Sequence, residues 1–387
     1  MTNKRRPDGS ERYVDISSGN QVKKVYKKKG RAVRITSIIL SILLIFGGAI
    51  PIALYLGTGT TNYSALEDVS IKETVAATDG DGNISTSFTD SELISDPKIL
   101  NIMLFGEDKH YKKSFGRSDS MMMLSIDNRS KALKITSFQR DTYLYIPGHG
   151  YDKMTHAYPL GGPSLAIRTV EANFGIKIDR YATVDFKSFK KIIDILGGID
   201  IELTDDEIEY INYQMYKNNQ TSDRYTIEDS AGVVHLNGRE ALWYARNRGL
   251  SMGEDNNEIG LDGDDWDRTD RQRKLMDTLF KSIKNASFDK IISIATQVGP
   301  YVTTNLKKDE ITGLLTRCLT YLKYDLKKYN IPQEGLWSYY NADGISYIQI
   351  NDMDECRRRF IEFVFGEDIA NSFLSSSNSS SSKTSSE

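Results

Sequence analysis

Cysteine and histidine are scarce in this 387-residue chain, with only Cys318, Cys356 and four histidines, His110, His149, His156 and His235. Two cysteines cannot build a disulfide scaffold, and their spacing fits no zinc pattern, so one bridge and two free thiols both stay open. The histidines show no metal-ligand spacing. A G-x-S-x-G elbow, an H-E-x-x-H helix and a P-loop are also missing, which removes sequence support for a serine hydrolase, a zinc peptidase or a P-loop nucleotidase. No repeat of fixed period is present. Charge is absent from one long stretch, Ile35 to Leu56, and that absence organises the rest of the chain.

Roughly 20 uncharged, mostly apolar residues span a bilayer as a helix, and the Gly47-Gly48 pair and Pro51 are tolerable there. The preceding residues 1–34 carry eleven Lys and Arg against three Asp and Glu, a net +8 that leaves −11 of the overall −3 for the remainder. An arm this long and an apolar run this extended argue for a membrane anchor at 35–57 over a cleaved signal peptide, and no A-x-A site follows closely. The positive-inside rule then puts the arm in the cytoplasm and the rest of the chain outside the cell membrane. An acidic outer domain disfavours nucleic acid as a partner.

Residues 58–96 are rich in Thr, Ser, Gly and Asp and read as an extracytoplasmic spacer. Within it, Asp79-Gly80-Asp81-Gly82-Asn83 starts like a calcium loop, but Ile84 and Asp90 stand where Gly and Glu belong, so it reads as a polar turn. The end of the chain, 371–387, is nearly all Ser and is expected to be disordered. Between them, 97–370 reads as one domain. Strands are expected at Ile99–Phe105, Met121–Ile126, Leu133–Phe138, Tyr181–Val184 and Ile199–Leu203. Helices are expected from Pro163 to Phe174, Lys187 to Leu196, around Glu240–Tyr244, and from Trp266 to Lys284. Continuous apolar strands among helices predict an α/β fold, a mixed central sheet covered by helices on both faces. Ligands of such sheets collect at strand ends.

Charged residues mark those ends. Asp108 and Asp119 each sit where an apolar strand meets a turn. Two carboxylates at one edge would repel unless a cation lay between them, and Mg²⁺ commonly takes one or two carboxylates plus substrate phosphates. Capping a turn, or pairing with a nearby Arg, is the alternative. Arg246 and Arg248, at i and i+2, face one side if the chain there is extended, which suits a phosphate; pairing with the acidic loop 254–265 would also account for them. On the last helix Arg268, Arg271, Gln272, Leu275 and Leu279 share one stripe, so its first turn aims Arg and Gln inward beside a helix N-terminus that favours anions. Arg268 and Arg271 snorkelling along the surface is the other reading. Lys153, ahead of Ala157-Tyr158 and Gly161-Gly162, is expected at a loop rim. Together these residues suit a metal-assisted reaction on a phosphate ester close to a bilayer.

Taken in order, the motifs resemble those of the LytR-CpsA-Psr family across about 97–290. They are Gly106-x-Asp108, Arg117-Ser118-Asp119-x-Met121, Ser137-x-x-Arg140-Asp141 before Ile146-Pro147-Gly148, Lys153 with Ala157-Tyr158 and Gly161-Gly162, Val184-Asp185-Phe186, Asp194-x-x-Gly197-Gly198-Ile199-Asp200, His235-Leu236-x-Gly238, Ala241-Leu242-x-Tyr244-x-Arg246-x-Arg248, and Asp265-x-x-Arg268-x-x-Arg271-Gln272. The resemblance implies a transferase of Gram-positive cell-wall assembly. Such an enzyme moves a glycopolymer (teichoic acid, capsule or another wall polysaccharide) from a polyprenyl pyrophosphate carrier onto peptidoglycan, forming a phosphodiester. It further implies that Asp108 and Asp119 hold Mg²⁺ or Mn²⁺. Arg117, Arg140, Arg246, Arg248, Arg268 and Gln272 would bind the pyrophosphate with Lys153 as helper, and Asp119, Arg140, Asp141 and Arg246 would act in catalysis. Asp141 would orient an Arg or act near the attacking hydroxyl. Departures are Gln139 for the family's usual Pro, His110 for Arg and Thr155 for Asn. A pyrophosphatase using water as acceptor, and a non-catalytic membrane regulator that binds the lipid carrier, are the competing functions.

Overall fold

A computed structural model describes residues 88–108 and 115–372, with short breaks at 219–220, 223–225, 248–249, 253–257, 262–264, 285–286 and 343, and backbone pieces at 4–5, 11–12, 62–66, 76–78 and 84–86. The membrane-anchor segment 35–57, the calcium-loop match at 79–83 and the Ser-rich tail from 373 lie outside the described residues. Among the described residues no helix is long and apolar enough to cross a membrane. The chain divides into two units. In Met1–Ile52 the described backbone is one antiparallel pairing of Lys4–Arg5 with Glu11–Arg12, and Ala53–Glu387 holds everything else.

The second unit is built on a meander of β1 (Ile99–Asp108), β2 (Arg117–Asp127) and β3 (Ala132–Phe138). The tight β2–β3 turn is held by Asp127, whose Oδ1 accepts the backbone N–H groups of Arg129 and Ser130. After β3 come the hairpin β4 (Tyr143–Ile146) and β5 (Gly150–Lys153) and the helix α1 (Met154–Phe174). The helix starts well before Pro163, where the sequence predicts it, and breaks in the middle: Gly161 and Gly162 leave helical geometry, Gly162 with φ 61°. Pro163 therefore opens only its second half, and Gly175 closes it in the left-handed conformation that favours glycine. Next β6 (Arg180–Asp185) returns parallel to β1.

Asp185 caps α2 (Phe186–Leu196) by accepting the Ser188 N–H at 2.7 Å. Beyond it lie the hairpin strands β7 (Ile199–Leu203) and β8 (Gly232–Leu236), with α3 (Asp205–Lys217) between them and α4 (Gly238–Arg246) after them. The helix α5 (Asp265–Lys284) follows. The C-terminal third adds α6 (Phe288–Val298), β9 (Thr303–Thr304), α7 (Lys308–Thr316), β10 (Asp325–Ile331), the hairpin β11 (Trp337–Ala342) and β12 (Ile345–Ile350), and α8 (Met353–Phe365).

The sheet runs β10-β3-β2-β1-β6-β9, with Asn62–Tyr63 at the far edge, and mixes parallel and antiparallel pairs. The spacer thus contributes its own short strand. Side chains alternate across the sheet, as the period of two requires. Ile99, Met103 and Phe105 of β1 pack with Met121 and Met123 of β2 against α1 and α8. Leu100, Ile102, Leu124 and Ile126 face the other way, toward Phe280 of α5 and Leu314 of α7. A further core joins α2, β7, β8, α3, α4 and Leu275 of α5. Two residues of the sequence motifs clamp α2 to α4. The Asp194 carboxylate accepts the Gly238 N–H at 2.8 Å, and a Cβ on Gly238 would lie 2.0 Å from the Lys190 carbonyl oxygen. Both cysteines are free thiols, and burial pushes the Cys356 thiol up to about 12.

Candidate active site

The site begins with a mismatch between β1 and β2. Gly106 pairs with Ser120 and Glu107 with Ser118, so Asp119 has no opposite residue and forms a β-bulge. A Cβ on Gly106 would stand 3.0 Å from that of Ser120, so glycine suits the crowded side of the bulge. Bulges bend a strand and re-aim a side chain. Asp119 is therefore not at a turn, as the sequence suggests, but displaced from within a strand. Its Oδ1 accepts Nη1 of Arg140 at 2.6 Å, the short distance of a charge-assisted bond.

Arg140 lies just past the end of β3, and its carbonyl accepts the Thr155 N–H at the start of α1. Its Nε is 3.4 Å from Asp141, and the other Asp141 oxygen is 3.0 Å from Lys153 Nζ. The result is a row of alternating sign, Asp119–Arg140–Asp141–Lys153. Lys153 is the last residue of β5, not a loop residue, and also stands 5.4 Å over the Tyr347 ring.

From the opposite side α5 brings Arg268, which is 3% exposed and donates from Nη2 to the Asp119 carbonyl at 3.2 Å. Arg271 departs from the expected stripe: its Nε bonds Glu207 of α3 at 2.7 Å, and its Nη1 reaches the Asn247 carbonyl. Three residues fall about 60° short of a full helical turn, an offset that sets Arg271 on the edge of the stripe where Glu207 of α3 engages it. Gln272 stays inward, near the Ala245 carbonyl. Arg246 is the last residue of α4 instead of part of an extended pair, and Arg248 lies outside the described residues. The Arg246 guanidinium sits 4.7 Å over Phe186 and 5.1 Å from the Trp243 ring centre, and 4.0 Å from Asp108, the last residue of β1. Ring faces hold a guanidinium while leaving its N–H edge available. Arg117 is exposed at the start of β2, in register opposite Asp108.

Asp119, Arg246, Arg268 and Gln272 line one cavity of about 630 Å³, within the range of small-ligand sites. The polar residues lie beside the bulge. Deeper along the same strands the walls become Leu104, Met122 and Val184 of the sheet, with Phe189 and Ile192 of α2, Leu242 of α4 and Leu275 and Leu279 of α5. The sequence stripe identifies Leu275 and Leu279. The α2 and α4 contributions are not legible there, because an apolar helix face looks the same whether it packs or lines a void.

Gln139 enters the sequence reading only as a departure from the family pattern, and its contacts are visible only in the fold. It is buried, its N–H donates to the Ile331 carbonyl, and its Oε1 accepts the Thr269 hydroxyl at 3.2 Å. A proline at 139 could make neither bond. The departure from the family pattern thus ties β3 to the first turn of α5, beside Arg268.

The described residues contain no group of three or more His, Cys, Asp or Glu able to hold a metal. A cage made by protein alone is therefore not offered by them. Asp119 lines the cavity and Asp108 lies 4.0 Å from Arg246, so the described residues place two hard carboxylate donors near the cations of the site.

The profile of the LytR_cpsA_psr family matches residues 61–357. The chain belongs to this family. It is 30% identical over 305 residues to the polyisoprenyl-teichoic acid–peptidoglycan teichoic acid transferase TagU of Bacillus anthracis, covering 77% of this chain and 89% of TagU. Among solved structures it resembles Bacillus subtilis TagV, with 29% identity, a TM-score of 0.54, and coverage of 70% of this chain and 98% of TagV. TagT with bound octaprenyl pyrophosphate lipid shares the fold at 24% identity and a TM-score of 0.51, covering 70% and 93% of the two chains. In this LytR_cpsA_psr protein the fold assembles Asp119, Arg140, Asp141, Lys153, Arg246, Arg268 and Gln272, with Asp108 in reach of Arg246.

Proposed function

We propose that this protein transfers a wall glycopolymer from a polyprenyl pyrophosphate carrier onto peptidoglycan. The observation that carries the reading is the cavity: a largely apolar lining with Arg246, Arg268 and Gln272 among its residues, a combination suited to an isoprenoid pyrophosphate. The named activities of the TagU relative and the lipid in TagT support it. The isoprenoid tail lies along Leu104, Met122, Phe189 and Leu279, and the pyrophosphate against Arg246, Arg268 and Gln272, with Arg117 at the rim and Arg248 as a further ligand expected from its motif. An acceptor hydroxyl bonds to the sugar-linked phosphorus, the bond to the bridging oxygen breaks, polyprenyl phosphate leaves, and the hydroxyl proton is released. Charge growing on the bridging oxygen meets guanidinium groups already fixed by Asp119 and by the Phe186 and Trp243 rings, so little reorganisation is needed. Asp141 holds Arg140 and Lys153 in place on the acceptor side. Asp108 and Asp119 would hold Mg²⁺ or Mn²⁺, which when bound supplies further neutralisation of phosphate charge. The charge-free segment 35–57 anchors the enzyme in the cell membrane, with its catalytic domain outside, beside the lipid-borne donor.

The test uses the full-length protein in detergent with a synthetic polyprenyl-pyrophosphate oligosaccharide, Mg²⁺ and peptidoglycan fragments, read by mass spectrometry beside Asp119→Ala and Arg246→Ala. A phosphodiester conjugate that needs both residues is expected. Free sugar phosphate without conjugate would replace transfer by hydrolysis, and an intact donor held tightly would leave only carrier binding.

A further inference from the structure

Four tyrosines from four strands converge beside Lys153. The Tyr143 ring centre lies 5.3 Å from Tyr151, 5.8 Å from Tyr340 and 4.9 Å from Tyr347, and Tyr340 lies 6.1 Å from Tyr347 across the β11–β12 hairpin. All four are half-buried and belong to none of the three cores. They form an aromatic surface, not a packed interior.

This surface is continuous with the charged row. Lys153 both contacts Asp141 and stands over Tyr347. The backbone fixes the same junction: Ile348 donates its N–H to the Asp141 carbonyl, and Ile348 bridges Thr142. On the opposite face of the hairpin, Trp337 stacks on Trp266 at 4.8 Å, in the first turn of α5 that also carries Arg268. One hairpin therefore clamps α5 with one face and supplies tyrosines with the other, which sets the aromatic surface at a fixed place relative to the site.

The chemistry selects a ligand class. Partly exposed aromatic rings, each ending in a hydroxyl, match a ligand with one apolar face and many hydrogen-bonding groups. Burial and the neighbouring rings raise the Tyr143 hydroxyl above the ordinary phenol range, so it remains a donor. Asp141 and Asp152 beside the cluster are engaged by Lys153 and His156 and offer carboxylate oxygens to sugar hydroxyls. A pyranose whose substituents are all equatorial has the required face of C–H bonds, and β-1,4-linked amino-sugar strands consist of such rings. The other substrate already has its place in the apolar cavity, on the far side of Arg140.

We infer that the Tyr143–Tyr151–Tyr340–Tyr347 surface is the binding platform for the acceptor glycan strand, which leads a sugar hydroxyl to the Asp141–Lys153 end of the charged row. The inference rests on the transferase reading for its meaning, but its test does not require turnover. Chitotetraose, an uncharged β-1,4-linked N-acetylglucosamine tetramer, serves as probe for the full-length protein in detergent, followed by saturation-transfer NMR and titration. Saturation is expected on the ring C–H protons of the sugar. Tyr340→Ala should weaken binding about tenfold, as truncating an anchoring aromatic does, and Tyr340→Phe should stay within about threefold. In the transfer assay Tyr340→Ala should raise KM for glycan acceptors more than it lowers kcat. Tyr340→Leu keeps the apolar bulk without the flat ring, so a loss of binding there at unchanged melting temperature separates stacking from packing. Absence of saturation transfer in the wild type, or wild-type affinity in Tyr340→Leu, overturns the inference. Chitotetraose binding without any turnover of donor would instead sink the transferase reading and leave the glycan platform standing.

Discussion

Arg140 offers the sharpest perturbation of the site. Its Nη1 reaches Asp119 at 2.6 Å and its Nε lies 3.4 Å from Asp141, so one planar group joins two carboxylates. Both partners of the shorter contact are about one-fifth exposed, which leaves the pair only partly screened. A charge-assisted bond of this kind contributes roughly 1.5–3 kcal/mol. Fixed donors aimed at developing charge carry more in turnover, about 10²–10³-fold for one donor. Arg140→Lys keeps the charge but cannot span both carboxylates, so we expect a loss of about 10² in kcat/KM, with Arg140→Ala at most about tenfold worse. Because Asp119 holds Arg140, the double variant Asp119→Ala/Arg140→Ala should fall short of the product of the single losses, by a coupling of about 1–3 kcal/mol. The assay is conjugate formation by mass spectrometry over a range of donor concentration, with thermal melts to show that each variant is folded. Arg140→Lys within threefold of wild type would refute the two-point role, and a fully multiplicative double variant would refute the coupling.

Three other outcomes follow from packing and charge. Burial alone would raise the Asp127 carboxyl, but hydrogen bonds from Lys134 and Ser130 outweigh it and hold the group down at about 2. Its folded value lies below the unfolded 3.8, so its contribution is present above about pH 4 and is lost as pH falls toward 2. That loss should be about 2 kcal/mol in urea midpoints, absent from Asp127→Asn, which itself costs about 3 kcal/mol by stranding the buried Lys134 ammonium. Leu279→Trp fills the cavity wall and should abolish use of long-chain polyprenyl donors while a short-chain analogue is still turned over; equal loss for both chain lengths would remove the tail from this cavity. Gly238→Ala places a methyl 2.0 Å from the Lys190 carbonyl oxygen and should destabilise by about 2 kcal/mol or more in denaturant unfolding, whereas a neutral result would show that α2 and α4 can slide apart.

Much of the architecture was legible because it obeys short periods. The continuous apolar runs Ile99–Phe105 and Met121–Ile126 predict strands, and the glycines at 175 and 197 predict helix ends, since these signals are local in the chain. The C-terminal third was not legible in the same way: β10, β11 and β12 carry mixed polar and aromatic residues whose role depends on the partners they meet. Among the candidate site residues, the order of motifs pointed to Asp108, Asp119, Arg140, Arg246, Arg268 and Gln272.

The sequence by itself determined which residue types gather at the strand ends, an excess of arginine with a few aspartates above an apolar sheet. Only tertiary structure decided their arrangement. The bulge that frees Asp119 arises from a register between two strands, and no single segment encodes a register. Arg268 enters the site and Arg271 leaves it because α3 offers Glu207 on one flank of α5. Arg246 ends a helix and rests on Trp243 one turn back, but also on Phe186, which belongs to another helix far earlier in the chain. Gln139 accepts the Thr269 hydroxyl on its side-chain oxygen across 130 residues of chain. Local propensity acts through neighbours in sequence, whereas a cavity and its charges are set by surfaces that meet only when the chain has folded.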